Sequence, residues 1–279
     1  MPFAESNGVR LHWEEAGSGT PVLLVMGHRY SSKMWYPAIP ALTSEHRVIW
    51  FDNRGTGESQ TTPKVTLPQL AADALAVMDA AGVERAHIYG VSMGGLIVQE
   101  MALQQPGRVL SLTVGCSGAL TADKPRMPAF MRVLYYLPPS LLKLLMSDRL
   151  GDQGYGSAAT REAIAADQAV LARDKFTVKG VVAQAAAIAA HSTTREALAG
   201  LTMPALVLHG DEDRLVPFKW GEELAEILPR SRFVRVPRAG HNYMVAAPET
   251  ANRAVLDFLR ETDATTMRNA PLGATDRPS

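Results

Sequence analysis

Short apolar runs closed by Gly or Pro recur along the chain and alternate with longer stretches whose apolar positions return every three to four residues. The short runs read as strands buried on both faces, and the longer period reads as amphipathic helix. Residues 22–26, 48–51, 86–89, 110–115 and 205–209 predict five strands, with 233–236 a sixth. Residues 67–81, 93–105, 221–228 and 248–260 predict helices between and after them. This alternation predicts an α/β fold in which crossover helices cover both faces of a mostly parallel central sheet. The amino end, 9–15 before Gly17-Ser18-Gly19, reads as an antiparallel hairpin feeding into that sheet.

The alternation stops after Ser117 and resumes at Pro204, so residues 119–202 form a candidate insertion between core segments 1–118 and 203–262. The insertion opens with Pro125 and Pro128, carries Met, Leu and Tyr through Met146, and turns Ala-rich over 158–172 and 181–190. It is expected to be mostly helical. Beyond residue 260 no apolar periodicity remains, which predicts a chain that frays from 261 and is disordered over 263–279. The most apolar segment, 131–146, is broken by Pro138, Pro139 and Lys143. It falls short of the roughly 20 apolar residues that span a bilayer.

Composition narrows the function classes. The chain has 279 residues with 28 Lys+Arg against 28 Asp+Glu, a balance that leaves no electrostatic footprint for nucleic acid or an anionic membrane. Its length fits one domain carrying an insertion. Cys116 is the single cysteine, so neither a disulfide nor a cysteine-based zinc site is expected. The first 13 residues lack the apolar run that export requires, which predicts a cytoplasmic location.

Gly90-Val91-Ser92-Met93-Gly94-Gly95 sits between a predicted strand and a predicted helix. A serine at such a turn needs strained backbone angles and small neighbours two positions either side, which Gly90 and Gly94 supply. The competing reading is a glycine-rich turn for helix packing or phosphate binding. A serine hydroxyl becomes nucleophilic only beside a base that a third group orients. His241, in Ala239-Gly240-His241-Asn242-Tyr243 after the last predicted strand, is placed at the sheet's carboxyl edge. His12, His46, His87, His191 and His209 read as structural. The loop Gly210-Asp211-Glu212-Asp213-Arg214-Leu215-Val216-Pro217 offers three carboxylates on the same edge.

With these motifs the chain resembles the α/β-hydrolase family over roughly residues 8–260. The family's Gly-x-x-Asp turn before a Val-Pro pair selects Asp213 as the acid, and the order Ser92, Asp213, His241 is the family's order. The resemblance implies an oxyanion hole built from the backbone amides of Met93 and His28. It also implies that the insertion is a helical cap over the nucleophile. In Met26-Gly27-His28-Arg29-Tyr30 the sequence departs from the family, which usually has His where Met26 stands. His28 and Arg29 thereby become candidates for contacting a polar or carboxylate group on the substrate. Tyr30, Met127, Met131, Tyr135, Met146, Val216 and Asn242 complete the candidate substrate contacts. Phe51-Asp52-Asn53-Arg54-Gly55-Thr56-Gly57-Glu58-Ser59 is similar to a bracing loop of the family, with Asp52 paired to Arg54, and Trp35 is expected to start a helix.

The activity expected is that of a serine hydrolase acting on a carboxylic ester or lactone of a small to medium, largely apolar compound. The elbow and short cap are similar to those of enol-lactonase-like members. No metal or organic cofactor is required, and the partner is a small-molecule substrate. The alternatives are a carbon-carbon bond hydrolase of the same fold and a non-catalytic ligand receptor that retains the triad.

Overall fold

The computed structural model describes residues 2–121 and 154–269. All six apolar runs form strands, and the amino-terminal segment contributes two more. In chain order these are β1 (Phe3–Ser6), β2 (Val9–Ala16), β3 (Pro21–Val25), β4 (Arg47–Phe51), β5 (Ala86–Val91), β6 (Val109–Gly115), β7 (Ala205–Gly210) and β8 (Ser231–Val236). They make one sheet in the order β1-β2-β4-β3-β5-β6-β7-β8. The β1/β2 and β2/β4 pairs are antiparallel and the remaining pairs are parallel. The hairpin turns at Asn7-Gly8, where both residues have positive φ (48° and 75°), and its second arm pairs with β4.

The main helices are α1 (Leu67–Ala80), α2 (Met93–Gln104), α3 (Arg161–Leu171), α4 (Val178–Ala190), α5 (Phe218–Ile227) and α6 (Pro248–Asn269). The pattern of the sequence places α5 three residues too late. Its prediction of a frayed segment from 261, and of disorder from 263, is corrected as far as 269, because α6 runs unbroken to Asn269. Trp35 ends a short 3-10 turn, Ser32–Trp35, and is completely buried. Among the described residues no helix is long and apolar enough to cross a membrane.

Both faces of the sheet are covered. Leu23, Val25, Ile49 and Phe51 pack with Leu70, Ala74, Ile97 and Val98 of α1 and α2. Their neighbours Val22, Leu24 and Val48 join Leu206, Leu208 and the α6 residues Val255, Phe258 and Leu259 on the other face. The strand order reverses around β3, whose successor β4 lies on one side and β5 on the other. Their carboxyl ends diverge there into the crevice where α/β sheets bind ligands.

The insertion leaves the core after β6 and returns at β7, and its described part contains α3 and α4. It is hydrogen-bonded to three loops at that crevice. Ser31 N donates to Asp174 and Arg29 N to Gln184, from the loop after β3. Thr177 N donates to Gly55 O after β4, and Gly240 N to Tyr155 O after β8. Met127, Met131, Tyr135 and Met146, expected to form the ceiling, lie outside the described residues.

Candidate active site

β5 ends at Val91 and α2 starts at Met93, so Ser92 alone turns the chain from strand to helix. It does so at φ 55° and ψ −119°, a region that costs a non-glycine residue about 1–3 kcal/mol. Surrounding packing enforces the turn. A Cβ on Gly90 would lie 2.1 Å from Gly94 O, and one on Gly94 would lie 2.0 Å from Val25 O. Ser92 N donates to Gly115 O at 2.8 Å, which anchors the elbow to β6.

His241 stands in the loop after β8, and its Nδ1 lies 2.8 Å from Asp213 Oδ2. The carboxylate can only accept, so Nδ1 carries the proton and Nε2 is left to act as a base. Asp213 is itself tightly held. Its Oδ1 accepts from Leu215 N (2.8 Å) and Val216 N (2.9 Å), and His209 Nε2 lies 3.2 Å from its Oδ2. His209 Nε2 also lies 3.0 Å from Val216 O, so it faces two acceptors and must be the protonated ring nitrogen. Burial works to raise the Asp213 carboxyl. The bonds from His209 and His241, the His241 charge and the Val216 amide outweigh it and hold the group well below the usual carboxylate range.

Ser92 and His241 line one cavity of about 70 Å³, with room for about two waters. Gly27, His28 and Tyr30 form one wall, Cys116 and residues 242–245 another, and Asp167 of α3 reaches in from the insertion. No hydrogen bond joins Ser92 Oγ to His241 among the described residues. Such bonds commonly tighten only when substrate is bound.

The Met93 amide is the first of α2 and has no acceptor within the helix, at the end where the dipole favours negative charge. The loop of His28 runs directly against Ser92, since a Cβ on Gly27 would lie 3.2 Å from Ser92 Cβ. Arg29 holds a left-handed φ of 76°, and its amide donates to Gln184 Oε1 at 2.9 Å. Gln184, completely buried, donates from its Nε2 to Arg54 O at 2.9 Å.

Several expected contacts are corrected. His28 lines the cavity, but its ring Nε2 lies 3.0 Å from Val181 O, and burial lowers its pKa to about 4, with the Val181 carbonyl opposing and Arg29 assisting, so it is neutral at neutral pH. Arg29 does not line the cavity; its guanidinium lies 5.2 Å from the Tyr30 ring centroid and 5.4 Å from that of Phe176. Val216 donates its amide to Asp213 and does not line the cavity. Tyr30 and Asn242 do line it. Asp52 is not paired with Arg54. It accepts from Ser32 N, Ser32 Oγ, Glu58 N and the His12 ring, while Arg54 forms a two-pronged ion pair with Asp73.

Cys116 is a second potential nucleophile on the wall. Burial and then the Asp213 charge push its thiol well above the ordinary range, which keeps it protonated and unreactive. Cys116, His209 and Asp213 also present ligand atoms within 4.8 Å of one another. With the thiol protonated and Asp213 saturated by donors, their chemistry suits a hydrogen-bond network better than a metal.

Reading the sequence misses three residues of the site: Asp167, Gln184 and the contact of His209 with the acid. The first two had a visible signal. Asp167 lies between Ile164 and Leu171, and Gln184 between Val181 and Ile188, at the spacing of an apolar helical stripe.

The sequence profile of a family described as alpha/beta hydrolase fold matches residues 20–248. A protein of Azorhizobium caulinodans that bears the provisional name carbamate hydrolase RutD is 33% identical over 276 residues, covering 94% of this chain and 100% of the relative. Among solved structures, a thermophilic esterase from Thermogutta terrifontis superposes with a TM-score of 0.83 at 27% identity, covering 94% of this chain and 98% of that one. The enol-lactonase from Burkholderia xenovorans LB400 gives 0.80 at 26% identity, covering 93% and 100%.

Proposed function

The chain belongs to the α/β-hydrolase fold family, and from that premise we propose that it is a serine hydrolase cleaving a carboxylic ester or lactone of a small, largely apolar compound through an acyl-enzyme. His241 Nε2 takes the proton of Ser92 as its Oγ attacks the carbonyl, and Asp213 keeps the ring in the required tautomer. The Met93 and His28 amides receive the negative charge that develops on the carbonyl oxygen. His241 returns the proton to the departing alkoxide. It then activates the water that releases the acid. Met26, Met34, Val91 and Met244 on the cavity wall favour apolar substrate surface.

The observation that carries this reading is the 2.8 Å His241–Asp213 bond in a loop that shares one cavity with a serine held at a left-handed elbow. A serine-directed phosphonate should label Ser92, as read by peptide mass spectrometry. Ser92→Ala should lower kcat on p-nitrophenyl acetate by on the order of 10⁴-fold or more. Labelling at another residue, or turnover that survives Ser92→Ala, would refute the assignment. Absence of turnover on a broad ester panel would favour a ligand receptor. The same attack serves a carbamate carbonyl, the substrate class in the provisional name of the 33% identical relative, and a carbamate ester belongs in that panel.

A further inference from the structure

Asp167 is a buried carboxylate that the mechanism above does not use. It lies on α3 of the insertion, has no exposed surface and lines the cavity of Ser92 and His241. Aspartate is seldom completely buried without a cationic partner, because desolvating a charge is costly. Asp167 has no ion pair among the described residues. Its hydrogen bonds come from two phenols: Tyr36 donates to Oδ1 at 2.9 Å and Tyr155 to Oδ2 at 2.6 Å.

A carboxylate offers about four acceptor positions, so two phenols leave about half of its capacity unused. The basic side chains nearest the cavity do not complete it. Arg29 is turned against the Tyr30 and Phe176 rings, and the His28 ring nitrogen Nε2 is engaged by Val181 O at 3.0 Å. Three tyrosines surround the carboxylate. Tyr36 and Tyr155 touch it directly, and the Tyr30 phenol, raised first by burial and opposed by Arg29, feels its charge. A negative charge among aromatic rings is a chemistry that selects an ammonium ion, through a charge-assisted hydrogen bond and cation–π attraction together.

We propose that Asp167 is the specificity-determining residue of this cavity: it receives a protonated amine carried by the substrate, so that esters bearing an ammonium group near the scissile carbonyl are hydrolysed in preference to neutral or carboxylate-bearing ones. The proposal rests on the reading of Ser92 as the nucleophile. The ammonium group is bound and is not transformed. The polarity is the reverse of the one suggested by His28 and Arg29 in the sequence.

Two sets of esters with matched heavy-atom skeletons test it, assayed where the amines are protonated. The first set is 2-(dimethylamino)ethyl acetate, 3-methylbutyl acetate and 3-acetoxypropanoate. The second carries the charge on the acyl side: ethyl N,N-dimethylglycinate, ethyl 3-methylbutanoate and monoethyl malonate. In at least one set, kcat/KM should be about tenfold or more higher for the cation than for its neutral isostere, with the carboxylate lowest. Asp167→Asn should reduce the cation-to-neutral ratio by about tenfold, a comparison in which intrinsic reactivity cancels. Tyr155→Phe removes a donor but leaves the carboxylate, and should keep the ordering.

A purely structural Asp167 would lower all three esters together and leave the ratio unchanged, which would overturn the proposal. A wild-type ratio near one in both sets overturns it without any variant, so a poorly folding Asp167→Asn does not block the decision. If turnover depends on Ser92 but the ordering is absent, only this proposal falls. If no Ser92-dependent turnover occurs, the hydrolase reading falls with it.

Discussion

Gln184 shows how one buried side chain can set the geometry of two loops at once. Its Oε1 accepts a hydrogen bond from Arg29 N and its Nε2 donates one to Arg54 O, each at 2.9 Å, so one buried amide ties together the loops after β3 and β4. Arg29 adopts φ 76°, and a non-glycine residue stays in that region only when its surroundings enforce it. Gln184 therefore positions the His28 amide beside it. With the His28 amide in its proposed role as an oxyanion donor, Gln184→Ala should lower kcat by about tenfold while moving KM little, since a small displacement of such a donor affects the transition state most. Gln184→Glu, which keeps the acceptor for Arg29, should recover part of the loss. Steady-state kinetics on p-nitrophenyl acetate checks both, and a rise in KM that matches the fall in kcat would instead indicate a distorted cavity. The placing of Ser92 at a strand-to-helix turn, and of Asp213 and His241 in loops at the sheet's carboxyl edge, was legible in the sequence because the steric demands of an elbow and a tight turn are local. The partners of Gln184 and Asp167 were not, because an apolar stripe signals that a polar residue on it is buried but not which distant groups it meets.

At the level of elements, the six strands read from continuous apolar runs all occur, because strands covered on both faces leave little place for polar residues. The hairpin was legible as a hairpin, but its turn is Asn7-Gly8, before β2 and not after it. The loop after β4 was misread in one respect. Asp52 and Arg54 are two positions apart, which suggested a local pair, yet Arg54 reaches α1 and grips both carboxylate oxygens of Asp73. Both partners are buried, with side-chain exposures of 8% and 0%. Removing one member of such a pair leaves an uncompensated charge and costs about 3–5 kcal/mol. Asp73→Ala should lose about that much stability in urea unfolding followed by circular dichroism. A loss below about 1 kcal/mol would mean that water reaches Arg54. The pair fastens α1 to the loop that also accepts Gln184, so its loss should lower activity through the same route.

Across the whole molecule, the end of α6 illustrates why the chain past residue 260 could not be read locally. The helix continues because Asp263 accepts from two histidines on the sheet side, His46 Nε2 at 3.3 Å and His87 Nε2 at 3.0 Å. Thr262 is buried beside it, and no apolar periodicity signals either contact. The same groups make stability depend on pH. Burial lowers the pKa of His46 and of His191, and it lowers that of His28 to about 4, against partners that oppose the shift. An unfolded histidine titrates near 6.5, so between about 6.5 and 4 the unfolded chain binds protons that the folded chain refuses, and stability falls as pH falls. Asp213 and Asp263 act in the same direction at lower pH. Burial raises them but their hydrogen bonds and neighbouring histidines hold them down, so their contribution is present above an unfolded pKa near 3.9 and is lost as pH drops through the folded value. Tm should therefore decline from pH 6.5 to 4.5 and more steeply below 4. His28→Gln, which keeps a neutral polar side chain near the Val181 carbonyl, should flatten the upper part of that decline without abolishing it, because His46 and His191 remain. Differential scanning fluorimetry across this range decides the matter, and a Tm that stays level between pH 7 and 4.5 would mean that these histidines accept protons in the folded state as readily as in the unfolded one.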